Sequence, residues 1–221
     1  MSKPTRWTKV DRVVRGDRKF ITPDDHCFYY LQRDSLGYSA GPRADANSLI
    51  INFKKKPEVI RSDERQAHYK QQAIEFFTSA VLDFFQQNAK LLDDCEVFLV
   101  PIPTSKPRGD ADYDNRMDEL CRTVGDSLSW VDYAPILDTR CDLGAAHEGN
   151  ISRDPECIKQ NMVFSDRIPD FRIPNVIFLI DDVLTTGAHY AACRDMINNA
   201  YPGVPIFGLF LSIHMWSFEN N

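Results

Sequence analysis

Apolar residues recur at three- and four-residue spacing between 63 and 89, where Tyr69, Ala73, Phe76, Phe77, Ala80, Val81, Phe84 and Phe85 share one helical face. This predicts a long amphipathic helix from Asp63 to about Ala89. Short apolar runs on either side read as strands: CFYYLQR (27–33), SLIINFKKK (48–56, closed by Pro57), VFLVPI (97–102), VDYAPIL (131–137), VIFLI (176–180) and PIFGLFLSI (205–213). Helical spacing returns in NRMDELCRTVGDSL (115–128) and GAHYAACRDMINNA (187–200), while 138–172 has no clear period and reads as loop with at most a short helical turn. Strands alternating with helices predict the α/β class, with a mainly parallel sheet flanked by helices on both faces. Residues 1–25 are polar and charged and read as an irregular or loosely docked arm, so the expected division is an N-terminal piece (1–47) and one α/β domain (48–221).

Composition narrows the function classes. At 221 residues, 43% hydrophobic and 26% charged, the chain can bury a substantial core as one domain and matches a soluble globular protein. No apolar stretch reaches membrane-spanning length, and MSKPTRWTKV lacks the apolar core of a secretory signal, which makes the cytoplasm the expected compartment and a membrane partner unexpected. Six cysteines stand singly (Cys27, Cys95, Cys121, Cys141, Cys157, Cys193), with no C-x-x-C pair to suggest a zinc ribbon or a disulfide framework. The net charge of −6 opposes nonspecific attraction to nucleic acid, although residues 3–19 form one locally basic segment.

The most informative stretch is VIFLIDDVLTTGAH (176–189). A buried strand delivers two adjacent carboxylates, Asp181 and Asp182, and a hydroxyl-bearing turn, Thr185-Thr186-Gly187, opens a helix. Carboxylates accept hydrogen bonds from vicinal ribose hydroxyls, while backbone N–H groups at a helix start favour a phosphate; together they can hold a sugar phosphate. The plainer reading is an ordinary strand-to-helix turn with acids as caps. A second loop, VPIPTSKPRGD (100–110), leaves a strand end stiffened by prolines 101, 103 and 107, with Ser105, Lys106 and Arg108 offering a hydroxyl and two cations at close spacing. Segment 139–166 is long for a structureless loop and is a candidate lid, in which Arg140, His147, Arg153, Lys159 and Asn161 are the residues to follow.

The run IDDVLTTGA resembles the phosphoribosyl pyrophosphate (PRPP) signature of the type I phosphoribosyltransferases, and the order of segments over about 48–213 is similar to the competence-protein-F branch. The resemblance implies that Asp181 and Asp182 face the ribose 2′ and 3′ hydroxyls and a metal ion, and that Val183, Leu184, Thr185, Thr186 and Gly187 wrap the 5′-phosphate. It further implies that Ser105, Lys106 and Arg108 hold the pyrophosphate, that Lys54 or Lys55 lies near the site, and that 139–166 closes over the ligand. The implied cofactor is Mg²⁺. The implied catalytic set is Asp181, Asp182, Lys106 and Arg108, acting on PRPP and a small-molecule acceptor, with a homodimer or protein partner possible within the family. In such enzymes N- or C-terminal segments form a hood over the acceptor, here 1–50 or 213–221. Two features depart from the branch: its cysteine-rich zinc module is missing, and acids (Asp110, Asp112, Asp114) follow the pyrophosphate loop where arginine and glycine are expected. The alternative is a catalytically silent PRPP- or nucleotide-sensing subunit of a larger assembly.

Overall fold

The computed structural model describes residues 6–16, 18–38, 41, 43–92, 94–141, 154–165 and 172–216. In chain order the elements are β1 (Thr8–Lys9), α1 (Arg12–Arg15), β2 (His26–Arg33), α2 (Ala44–Phe53), α3 (Pro57–Ser62), α4 (Glu64–Asn88), β3 (Val97–Pro101), α5 (Arg116–Ser127), β4 (Val131–Tyr133), β5 (Leu137–Thr139), α6 (Pro155–Gln160), β6 (Met162–Phe164), β7 (Val176–Leu184), α7 (Ala188–Ala200) and β8 (Ile206–His214). Six strands form one sheet in the order β1-β2-β8-β7-β3-β4, and β5 pairs with β6 separately. Every neighbour pair in the large sheet is parallel except β1 with β2. The class is therefore α/β, as the alternation of strands and helices predicts.

Strand β7 shows why both faces are covered. Successive side chains of a strand point to opposite faces. Ile177 and Leu179 join one core with Tyr190, Cys193 and Ile197 of α7. Val176, Phe178 and Ile180 join the other with Phe77, Phe84 and Phe85 of α4 and Leu120 of α5. A strand buried on both sides cannot spare alternate positions for polar residues, which accounts for the uninterrupted apolar run before the acids. Helix α4 begins where its cap predicts, with the Asp63 carboxylate accepting from the Arg65 N–H.

Four expectations require correction. Residues 48–53 belong to helix α2, not to a strand: Asn47, Ile50 and Phe53 are its buried face, and the Phe53 ring meets Phe77 of α4 at 5.2 Å. A short apolar run carries no period long enough to separate the two states, and packing on α4 decides it. The VDYAPIL strand is two strands. The Ala134 N–H still reaches the Leu99 carbonyl at 3.0 Å, but Pro135 has no N–H to continue the ladder, and β5 turns away to pair with β6. Segment 138–172 is correspondingly not mostly loop where it is described. Asp154 caps α6, Pro155 occupies its first turn, and α6 leads into β6.

The amino-terminal stretch is firmly docked over its described part. Trp7 donates to the Ala80 carbonyl at 2.8 Å, Val10 and Ile21 are buried, and β2 lies inside the sheet between β1 and β8. Arg18 is 2% exposed and donates to the carbonyls of Val14 and His214. A few apolar side chains among many charges anchor this segment, which average polarity concealed.

Candidate functional site

Parallel strands of an open sheet deliver their carboxyl ends to one edge, and ligands bind there because loops and helix starts converge. At that edge the ends of β3 and β7 border a pocket of about 690 Å³. Hydrogen bonding from the Ile102 N–H to the Ile180 carbonyl (2.9 Å) carries the β3–β7 pairing one residue past β3. This sets Thr104, Ser105 and Lys106 on one side of the pocket and Asp181, Asp182, Val183 and Thr185 on the other. Lys54, just beyond α2, and Arg116, the first residue of α5, complete the charged wall.

The two acids occupy different environments although they are adjacent. Asp182 is 5% exposed, and both of its oxygens are taken: Lys54 Nζ donates to Oδ1 at 2.9 Å and Arg116 Nη2 to Oδ2 at 2.6 Å. Burial opposes its charge, but Lys54 and Arg116 outweigh that and hold the carboxyl far below the usual carboxylate range. Asp181 is half-buried. Its Oδ1 accepts the Asp182 N–H at 2.7 Å, and it contacts no cation within ion-pair distance among the described residues. Burial, and then the neighbouring Asp182 charge, push its pKa up to about 7.

Arg116 is held from behind. Asp114 accepts from its Nη1 at 2.5 Å, and Lys70 of α4 donates to Asp114 at 2.6 Å while also reaching the Lys55 carbonyl at 2.6 Å. Five charged side chains thus run unbroken from α4 to the pocket: Lys70, Asp114, Arg116, Asp182, Lys54. The acidic stretch after the proline-rich loop is therefore counterbalanced. Asp114 meets Lys70 and Arg116, while Asp112 meets Arg61 at 2.6 Å and Lys106 at 3.6 Å, and Asp110 meets Lys106 at 3.5 Å.

Of the residues singled out in the sequence, Asp181, Asp182, Val183, Thr185, Ser105, Lys106 and Lys54 line the pocket. Arg108 does not. Its side chain is 4% exposed and turns into the fold, forking onto Asp118 with two 3.1 Å bonds and donating to the Leu137 carbonyl at 2.6 Å. Leu184 is 1% exposed in the core, so its backbone alone faces the turn. Thr186 gives its carbonyl to the Phe20 N–H (3.0 Å) and its hydroxyl to the Ala188 N–H (3.4 Å). Gly187 caps α7 with φ +84, and Ile21 packs so closely that an added Cβ would lie 2.6 Å from its Cδ1. Lys55 lies over the Tyr69 ring instead of in the pocket. Arg140 is exposed, Lys159 pairs with Glu156 and Asp195, and Asn161 donates to the Cys141 carbonyl. His147 and Arg153 lie outside the described residues.

Sequence reasoning missed Arg116 and Lys70, and it marked Asp114 only as a departure from the family pattern. A basic residue at the first turn of a helix is electrostatically unfavourable there, and that misfit at Arg116 was the available signal. It also missed His189, which stands in the first turn of α7 at the pocket.

Among the described residues no three His, Cys, Asp or Glu side chains gather as a metal cage. With Asp182 saturated by cations, Asp181 is the one of the two adjacent acids able to take an ion. Such a set fits Mg²⁺ bound chiefly through ligand phosphates and water, with one or two protein carboxylates. No described helix is long and apolar enough to cross a membrane. Comparison with family models and with curated proteins finds no match to this chain.

Proposed function

We propose that the chain is a PRPP-binding phosphoribosyltransferase that passes the phosphoribosyl group to a nitrogenous small molecule and releases pyrophosphate. One observation carries this reading: a single pocket at the carboxyl edge of a parallel sheet gathers the acids of β7, the hydroxyl of Thr185 and the Ser105–Lys106 loop. The resemblance of 180–188 to the PRPP signature supports it, because each part of that ligand then has a chemical counterpart.

The acidic end of β7 faces the ribose hydroxyls, and the turn from Val183 to Gly187 takes the 5′-phosphate. Thr185 offers its hydroxyl there, and Leu184, Thr186 and Gly187 contribute backbone beside the start of α7. Ser105 and Lys106 meet the pyrophosphate, for which Lys106 must leave Asp110 and Asp112. Those pairs are partly exposed and individually weak, so a multiply charged ligand can displace them. Arg108 serves the same loop from inside, tying it to α5 and β5. Magnesium held by Asp181 and the ligand oxygens would neutralise developing charge on the leaving group. The acceptor nitrogen forms a bond to C1 as the C1–O bond breaks, and pyrophosphate departs with the electron pair. The fixed cations Lys54 and Arg116, joined by Lys106, favour that departure.

A second reading keeps the ligand and drops the chemistry: a PRPP- or nucleotide-sensing subunit. The pairing of Lys106 with Asp110 and Asp112 favours it, since the cation best placed for the leaving group is already engaged. Pyrophosphate release measured against a panel of nucleobases and amines separates the two. Release with any acceptor establishes transfer; PRPP binding with no release from any acceptor establishes the sensor; absence of PRPP binding removes both.

A further inference from the structure

Resting on that reading, we infer that the two adjacent acids do separate jobs: Asp181 alone reads the sugar hydroxyls, and Asp182 is a positioning residue that aims Lys54 and Arg116 at the anionic part of the ligand. The geometry begins with the strand. Neighbouring residues of β7 point to opposite faces, so Asp182 stands over the side occupied by α2 and α5, where its partners originate. Its two carboxylate oxygens accept from two different cations at 2.9 and 2.6 Å, and its carbonyl accepts from the Ser212 hydroxyl at 3.1 Å. A hydroxyl seeking Asp182 would have to displace a buried guanidinium or an ammonium.

Asp181 has the opposite character: half-buried, at the pocket, and without a cation bonded to it among the described residues. A carboxylate in that state gains most from donors that a ligand brings.

The cations are themselves constrained. Arg116 lies between Asp182 and Asp114 and over the Phe53 ring at 5.6 Å, and Asp114 is fixed by Lys70. A guanidinium gripped on two sides has few rotamers left, so its remaining N–H groups keep one direction. The ladder from Lys70 to Lys54 thus acts as a frame for two pocket-facing cations. Asp114 and Lys70 are positioning residues of the same kind as Asp182, working through Arg116.

The test uses calorimetry at fixed Mg²⁺ with PRPP, ribose 5-phosphate and its 2-deoxy and 3-deoxy analogues, on the full chain and on variants shown folded by circular dichroism. The unaltered chain prefers ribose 5-phosphate over a deoxy analogue by about tenfold, the loss of one hydrogen bond to a charged group. Asp181→Asn flattens that preference. Asp182→Asn weakens all the sugar phosphates by a common factor of about three to ten and leaves the preference intact, as a positioning residue must. Asp114→Asn repeats the Asp182→Asn pattern from the far side of Arg116 and carries the comparison if Asp182→Asn does not fold. The inference is overturned if Asp182→Asn or Asp114→Asn erases the hydroxyl preference, if either leaves every affinity unchanged, or if Asp181→Asn preserves the preference. PRPP binding without any hydroxyl preference in the unaltered chain overturns the inference alone. No binding of PRPP or of any sugar phosphate overturns the proposed function instead.

Discussion

Replacing Arg108 with methionine separates an anchor inside the fold from a ligand contact on its surface. The guanidinium is 4% exposed and its partner Asp118 6%, and the pair is forked through two bonds of 3.1 Å. Arg108 also donates to the Leu137 carbonyl, which ties α5, the proline-rich loop and β5 together. After Arg108→Met, Asp118 keeps the Tyr113 hydroxyl at 2.6 Å but loses its counter-charge. Breaking one side of a buried ion pair costs about 3–5 kcal/mol, most of it the penalty of the stranded charge. For a chain of this size each kcal/mol moves the melting temperature by about 2–4 °C, so the midpoint falls by roughly 6–20 °C. Removing the second charge as well, in Arg108→Met with Asp118→Leu, restores much of the loss, because no unpaired ion then remains. Thermal unfolding followed by circular dichroism on the singles and the double reads both effects. An Arg108→Met midpoint within about 2 °C of the unaltered protein would refute the anchor role, since a buried stranded carboxylate cannot be that cheap.

Three further outcomes follow from the same geometry. Gly187→Ala places a Cβ against Ile21 at φ +84 and is expected to lower stability by about 1–3 kcal/mol, with a smaller loss on an Ile21→Ala background; equal losses on both backgrounds would mean that strain alone is responsible. Asp110→Asn with Asp112→Asn removes two carboxylates that pair with Lys106 and is expected to tighten inorganic pyrophosphate binding by about two- to fivefold in calorimetry, the scale of partly exposed ion pairs; weaker binding would show that the acids support the site. The carboxyl of Asp181, raised to about 7 in the fold, binds its proton more tightly folded than unfolded. Stability is therefore penalised as pH rises from the ordinary carboxylate range to about 7 and flat above it, and Asp181→Asn removes that slope from chemical-denaturation curves; an unchanged slope would place the titration elsewhere.

The legible parts of this fold were those with long periods or uninterrupted burial. Helix α4 shows seven turns of consistent spacing behind an aspartate cap, and β3 and β7 are apolar at nearly every position because both faces are covered. Helix α2 was misread because SLIINF is too short to show a period, and its partner surface on α4 exists only in the fold. The pocket acids, Thr185, Ser105 and Lys106 were legible because they cluster at the ends of recognisable strands or flank a stiff loop, whereas Lys54 was reached only through the family resemblance, since it ends helix α2 and not a strand. Arg108 was as visible as Lys106, two positions away, and the sequence could not show that one turns inward to Asp118 while the other turns outward. The charge ladder was illegible for a related reason: Lys70, the Asp114–Arg116 pair and Asp182 come from three separate places along the chain and acquire meaning only when α4, α5 and β7 pack.

The central claim is that the pocket at the ends of β3 and β7 clasps PRPP. Titrating the full chain with PRPP in the presence of Mg²⁺ by calorimetry tests it most directly. The account predicts saturable one-site binding with a dissociation constant in the range of about 1 μM to 1 mM, abolished in the Asp181→Ala, Asp182→Ala double variant. Absence of heat at millimolar PRPP with the unaltered protein, or undiminished binding by that variant, would contradict it.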